Sequence, residues 1–192
     1  MNEAPPTRRS YPRSITLANG TPVSLRPMTA ADAAAMVAFA RSLPADDLLF
    51  LRTDITDAGV VAQWLRNVET GRTVTLIAEA GSDIAGYASL HYNQLTWQRH
   101  LGDIGIQAAP RYRSQGLGRA MAGEMFVIAR ELGLRKIVAQ MTADQRGAVA
   151  TFERLGFRPE ALLQDFVIDR DGRTRDLLVM AYDVAGLTEH VD

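Results

Sequence analysis

The sequence predicts a mixed α/β fold, one sheet with helices on both faces, and three observations carry that expectation. The apolar period switches along the chain between two and about 3.6 residues, which gives the element order β-α-α-β-β-β-α-β-α-β-β. The segment "GDIGIQAAPRYRSQGLGRAMAGEM", Gly102 to Met125, runs from a strand pattern through a turn rich in arginine and glycine straight into a helical pattern. Finally, 192 residues that are 47% hydrophobic and 22% charged suffice for a sizeable core and favour one domain.

Residues 1–14, rich in Pro and Arg, read as a flexible N-terminal tail, leaving 15–192 as the domain. The first strand is "TPVSLRPMT", where Val23 and Leu25 alternate with polar neighbours. "TAAD", Thr29 to Asp32, fits a capping box for a helix reaching about Leu43, with Ala33, Val37 and Ala40 on one face. A second helix is expected from about Asp57 to Glu69, because Val60, Val61, Trp64, Leu65 and Val68 fall on one stripe. "TVTLIAEA" and "IAGYASLHYNQ", joined by "GSD", read as an antiparallel hairpin, and "GDIGIQAAP" as the next strand. From Leu117 the apolar positions recur at helical spacing until Gly133. "KIVAQMT" follows as a buried strand and "GAVATFERLG" as a short helix. "ALLQDFVID" and "TRDLLVMAYDV" close the chain as a hairpin turned at Asp171-Gly172.

Composition narrows the function. A formal net charge of −1 offers no general field for polyanions, so nucleic acid is not an expected partner and any phosphate must be held locally. The absence of cysteine excludes a disulfide framework, a thiolate nucleophile and a Cys-based zinc site, and no metal is expected. No window holds about 18 consecutive apolar residues, and "MNEAPPTRRSYPRS" has no apolar stretch after its arginines. The expectation is a cytoplasmic protein without a membrane partner.

The turn between strand and helix, "RYRSQGLGRA", gathers Arg111, Arg113 and Arg119 around Gly116 and Gly118. A helix N-terminus leaves backbone N–H groups without intrahelical partners and carries a partial positive charge, so it attracts phosphate. Glycine lets the backbone approach, and arginine adds forked donors. The alternative is a tight turn with solvated arginines. The P-loop pattern GxxxxGK[ST] is absent, and the only lysine, Lys136, lies in the next strand. The dinucleotide pattern GxGxxG fails as well, since its third small position, counted from Gly116, is Met121.

Arg113-Ser114-Gln115-Gly116-Leu117-Gly118 resembles the [RQ]-x-x-G-x-[GA] signature of the GNAT N-acetyltransferases. "IGIQAAPRYRSQGLG" is similar to that family's fourth strand and phosphate turn, and "DQRGAVATFERLGF" to its later helix, which ends in a pair like Gly156-Phe157. The resemblance extends from about Thr21 to Val184. It implies a GNAT fold whose fourth strand carries a bulge that splays it from the fifth, and acetyl-CoA as the acyl donor. It places the pyrophosphate on residues 113–119, that is Arg113, Ser114, Gln115, Gly116, Leu117, Gly118 and Arg119. It further implies pantetheine contacts from the backbone of Ile106 and Ala108, with an N–H near Ile106 facing the thioester oxygen. Gln145 stands where the family has an asparagine, and Phe152 where many members have a tyrosine that protonates the departing thiolate. Phenylalanine cannot donate a proton, so water or another hydroxyl must serve, or protonation of the thiolate is not limiting.

Acetyl transfer to an amine needs a neutral nitrogen, while an alkyl ammonium has a pKa of about 10.4. Two residues are candidate bases. Asp103 sits where many members place a glutamate, sharing a strand face with Gly105 and Gln107; the alternative is a strand-end aspartate paired with arginine. His91, on the neighbouring strand, has the better unperturbed pKa, against which stands an ordinary structural histidine. Glu79 and Tyr92 are weaker candidates. The acceptor would meet the first helices and "SLPADDLLFLRTDITD", whose Asp46, Asp47, Asp54 and Asp57 suit either a cationic amine or solvated caps. The expected function is transfer of acetyl to a primary amine of a small molecule or a protein lysine, by direct attack on the thioester. A non-catalytic acyl-CoA-binding or sensing domain is the alternative, and a homodimer is left open.

Overall fold

The computed structural model describes residues 9–49, 51 and 53–184. Its strands are β1 (Arg13–Thr16), β2 (Pro22–Pro27), β3 (Thr73–Ala80), β4 (Asp83–Tyr92), β5 (Leu101–Ala108), β6 (Lys136–Thr142), β7 (Arg158–Ile168) and β8 (Thr174–Asp183). The helices are α1 (Ala33–Ser42), α2 (Ala45–Leu49), α3 (Ala58–Glu69), α4 (Leu117–Glu131) and α5 (Arg146–Arg154). The strands form one sheet in the order β1-β2-β3-β4-β5-β6-β8-β7. All neighbours are antiparallel except β5 and β6.

Helices cover both faces, as the period analysis requires. On one, α4 and α5 bury Leu117, Met121, Met125, Ile128 and Phe152 against Val23, Leu25, Leu76 and Ile137. On the other, α1 and α3 bury Met36, Phe39, Val61, Trp64 and Leu65 against Ile77. Local signals set the helix ends. The Asp57 carboxylate accepts from the Val60 N–H at 3.0 Å, capping α3. Asp32 reaches back to the Thr29 N–H at 2.7 Å ahead of α1, and also accepts both arms of Arg26, which hold its carboxyl below the usual range. The same Arg26 pairs with Glu79 at 2.5 Å, giving that carboxylate a structural role.

Two expectations need correction. The flexible tail is expected through residue 14, yet Arg9 and Tyr11 pack and β1 begins at Arg13. Tyr11 lies against the core, its hydroxyl 3.1 Å from Glu124 of α4, and Arg9 pairs with the same carboxylate at 2.7 Å. β1 then adds an edge strand outside β2, which the Pro- and Arg-rich composition concealed; residues 1–8 and 185–192 lie outside the described residues. The second correction concerns the bulge expected in the family's fourth strand, here β5. Its register with β4 runs unbroken from Gly86↔Ala108 to Tyr92↔Gly102. The splay arises differently. β5 pairs with β6 only over Leu101–Asp103, opposite Lys136–Val138, and beyond that the two strands diverge.

Candidate functional site

A parallel pair that stops after three residues leaves one edge of each strand open. The Ala109 N–H donates to Ala85 O at 2.9 Å, which makes 109 and 85 a hydrogen-bonded pair of the antiparallel β4–β5 ladder. By alternation, the odd residues of β5 turn their backbone groups to β4 and the even ones, Ile104, Ile106 and Ala108, turn theirs into the gap. Ile106 therefore offers an N–H and a C=O there. The Ala108 carbonyl accepts from Arg113 Nε at 2.9 Å.

The gap opens into a cavity of about 570 Å³ that passes through the sheet. Its walls include Ile104 and Ile106 from one face of β5, Gly105 and Gln107 from the other, Trp64 of α3, and Gln145, Ala148 and Phe152 at α5. A side chain at Gly105 would stand in open space. Phe152 is the floor on the α5 side, 8% exposed and edge-on to Phe157 at 5.0 Å. The Gln145 side-chain oxygen accepts from the Thr142 N–H at 3.0 Å, tying it to the end of β6.

At one end of this gap lies the arginine-rich turn. Ser114 and Gly116 are left-handed, with φ of 58° and 91°, which turns the chain sharply from β5 into α4. The Leu117, Gly118 and Arg119 N–H groups precede the first intrahelical bond, from Ala120 N–H to Gly116 O at 3.0 Å. A Cβ on Gly116 or Gly118 would meet nothing within 4 Å, so the backbone is open to approach. The arginines divide their work. Arg119 is exposed at the first turn of α4. Arg111 pairs with Asp83 and lies 4.6 Å over the Tyr112 ring. Arg113 pairs with Asp47 of α2. Gln115 faces inward: its amide nitrogen donates to Arg111 O at 2.8 Å, and its buried oxygen has no partner among the described residues.

On the α3 side, alternation along β4 puts Tyr87, Ser89 and His91 on one face, opposite Gln107, Gly105 and Asp103 respectively. Tyr87, Ser89 and His91 line the cavity. Asp103 lines an adjoining cavity of about 620 Å³, which shares Asn67, His91 and Gln140 with the first. Gln140 of β6 donates to Asp103 Oδ2 at 3.0 Å, and Thr73 Oγ1 lies 2.9 Å from His91 Nδ1. The two candidate bases are thus brought together. Asp103 stands three residues, about 10 Å along the strand, from Ile106. That spacing suits proton transfer through water rather than direct contact with an amine at the thioester. Of these two cavities, Tyr92 lines the adjoining one and not the first.

The sequence reading missed Gln140, Ser89 and Tyr87. Period-two alternation outward from His91 would have found the last two. Ser89 joins a buried relay: Trp64 Nε1 donates to Thr75 Oγ1 at 3.0 Å, which lies 2.9 Å from Ser89 Oγ. Burial pushes the Tyr87 phenol up to about 12, so it stays protonated at neutral pH. The acidic segment between α1 and α3 is largely engaged. Asp47 holds Arg113, Asp57 caps α3, and Asp54 meets Thr56 and Arg170. Hydrogen bonding from Thr56, and then Arg170, keeps Asp54 below the usual carboxylate range. Solvated caps and latches therefore describe these aspartates better than a docking field for a cation.

Among the described residues, no helix is long and apolar enough to cross a membrane. Residues 37–157 match the model of the acetyltransferase (GNAT) family. A streptothricin acetyltransferase of Streptomyces lavendulae is 29% identical over 118 residues, 61% of either chain. The [ribosomal protein bS18]-alanine N-acetyltransferase of Escherichia coli K12 is 29% identical over 80 residues, 42% of this chain and 53% of its own. The chain thus spans a little over half the length of these relatives. The structure of yncA from Salmonella typhimurium with its cofactor acetyl-CoA superposes with a TM-score of 0.71 at 21% identity, over 84% of this chain and 94% of that one. With the family match covering residues 37–157 of 192, the chain belongs to the GNAT acetyltransferase family.

Proposed function

We propose that this protein is an acetyl-CoA-dependent N-acetyltransferase that moves an acetyl group to a primary amine, of a small molecule or of a protein lysine. The observation that carries the reading is the cavity through the sheet where β5 leaves β6, with the Ile106 N–H turned into it, followed along the chain by the open N-terminus of α4 just beyond the end of β5. The Ile106 N–H and the N–H groups of Leu117, Gly118 and Arg119 have different tasks. The first polarises a thioester carbonyl as it gains negative charge, and the others hold a pyrophosphate.

The amine nitrogen attacks the thioester carbon, the C–S bond breaks, and the thiolate leaves as free coenzyme A after taking a proton. The nitrogen gives up its proton through water to Asp103, which Gln140 orients and His91 neighbours. Phe152 packs beside the sulfur without supplying a proton. The Tyr87 and Ser89 hydroxyls line the same cavity and, with water, are the available donors.

The test is release of free coenzyme A from acetyl-CoA across a panel of primary amines, with coenzyme binding followed by calorimetry. Binding with amine-dependent release is expected. Phe152 favours one second reading, a coenzyme-sensing domain without chemistry, which would bind acetyl-CoA and release nothing. No binding at all would sink both.

A further inference from the structure

At the wide end of the diverging strands the sheet no longer joins β5 to β6, yet a chain of ion pairs crosses it. Arg170, in the turn between β7 and β8, pairs with Asp54 and donates to Thr56 Oγ1 at 3.1 Å, in the segment leading to α3. That segment is also held from α1, where Arg41 Nε donates to Thr56 O at 3.1 Å. The hairpin end is held by its own contacts. Asp169 accepts from the Asp171 and Arg173 N–H groups at 2.9 Å, and Arg175 joins it to Asp144, just before α5. Thr53 and Ile55, on either side of Asp54, form part of the cavity wall, and Ile55 is buried in the α1–α3 core.

We propose that Arg170 and Asp54 set the girth of the acceptor site. By holding Thr53 and Ile55 in the cavity wall they restrict it to primary amines on unbranched alkyl chains. The proposal rests on the acetyltransferase reading and specifies its substrate. Asp54 and Arg170 neutralise each other, and the wall they hold, with Leu51, Val60 and Trp64, is mostly apolar. Selection at this end therefore falls on shape and apolar fit rather than on charge, which matches a methylene stem. An exposed ion pair is individually weak, so the expected effect is a change in discrimination rather than loss of transfer.

The experiment compares kcat/KM for n-pentylamine with that for cyclohexylmethylamine, two primary amines with the same reacting CH2–NH2 group and different girth. Nα-acetyl-lysine amide is run beside them to separate a free amine from one borne on a polypeptide. Wild type should prefer the slender amines. Arg170→Ala and Asp54→Asn should each reduce that preference about threefold to fivefold, with coenzyme affinity unchanged. The reversed pair, Arg170→Asp with Asp54→Arg, should restore it. Both side chains are at least a third exposed, 36% and 49%, so the variants should fold; Arg170→Lys, which keeps the charge without the fork, should fall between. An unchanged preference in all variants, or a reversed pair that restores nothing, overturns the proposal while leaving the acetyltransferase reading intact. Failure of the wild type to acetylate any amine overturns that reading, and the proposal with it.

Discussion

At the turn into α4, proposed to hold the coenzyme, the geometry comes from neighbours in sequence, a left-handed Ser114 and Gly116 followed at once by the first turn of α4. At the acceptor end it comes from residues far apart: Arg170 with Asp54, Gln140 with Asp103, Thr73 with His91. One end is a backbone device that six consecutive residues specify. The other is a side-chain assembly that exists only once the sheet has formed. Changes at the first should therefore act through backbone conformation and coenzyme affinity, and changes at the second through turnover and choice of acceptor.

The largest effect should lie at the acceptor end. Asp103→Asn is expected to lower turnover about 10²–10⁴-fold with little change in acetyl-CoA affinity, and His91→Gln to matter less. The reverse ranking, in steady-state rates with saturating amine, would move proton removal to His91. The next effect should be seen in affinity. Gly116→Val forces a β-branched residue to a φ near 91°, and Arg113→Ala removes a forked donor. Each should weaken acetyl-CoA by roughly 1–3 kcal/mol in calorimetry. Equal affinity in folded variants would break the contrast between the two ends.

A smaller effect should appear where the two regions touch. Asp47 from the acidic segment holds Arg113 of the phosphate turn. Asp47→Asn removes a carboxylate that competes with phosphate, so acetyl-CoA should bind up to about fivefold more tightly. Weaker binding would mean that Asp47 orients Arg113 instead. The smallest effect is expected at Phe152, packed edge-on against Phe157. Phe152→Tyr should leave the maximal rate within about twofold, because a desolvated hydroxyl gains nothing where protonation is already supplied. A severalfold increase at saturating coenzyme would show that thiolate protonation limits the reaction.

What could be read in advance follows the same division. The Asp57 cap, the Val61–Trp64–Leu65 stripe, the stop at Gly133 and the turn at Gly116 are short-range features, set by residues within a few positions of one another. β1 escaped notice because four residues beside a Pro- and Arg-rich stretch carry almost no period, and their strand character comes from pairing with β2. In the site, the shared face of Asp103, Gly105 and Gln107 follows from strand alternation. That Asp103 opens into a cavity beyond the one lined by Gly105 does not, since it depends on where α3 and β6 lie. Arg113 was legible as a cation beside a turn. Its pairing with Asp47, 66 positions away, was not, because ion pairs at that separation leave no local pattern.

The packed N-terminal segment bears on where this fold can be cut. Arg9 and Tyr11 grip Glu124 midway along α4, and the Ala18 N–H donates to Gln115 O at 3.1 Å within the phosphate turn. The residues that match the family, 37–157, contain none of this brace, and β1, β2, β7 and β8 lie outside them, half of the eight strands described. A fragment trimmed to the matched residues would retain every letter of the signature while α4 lost its splint and Gln115 its anchor. The smallest stretch by which the family is identified is thus shorter than the unit that braces the turn proposed for the coenzyme.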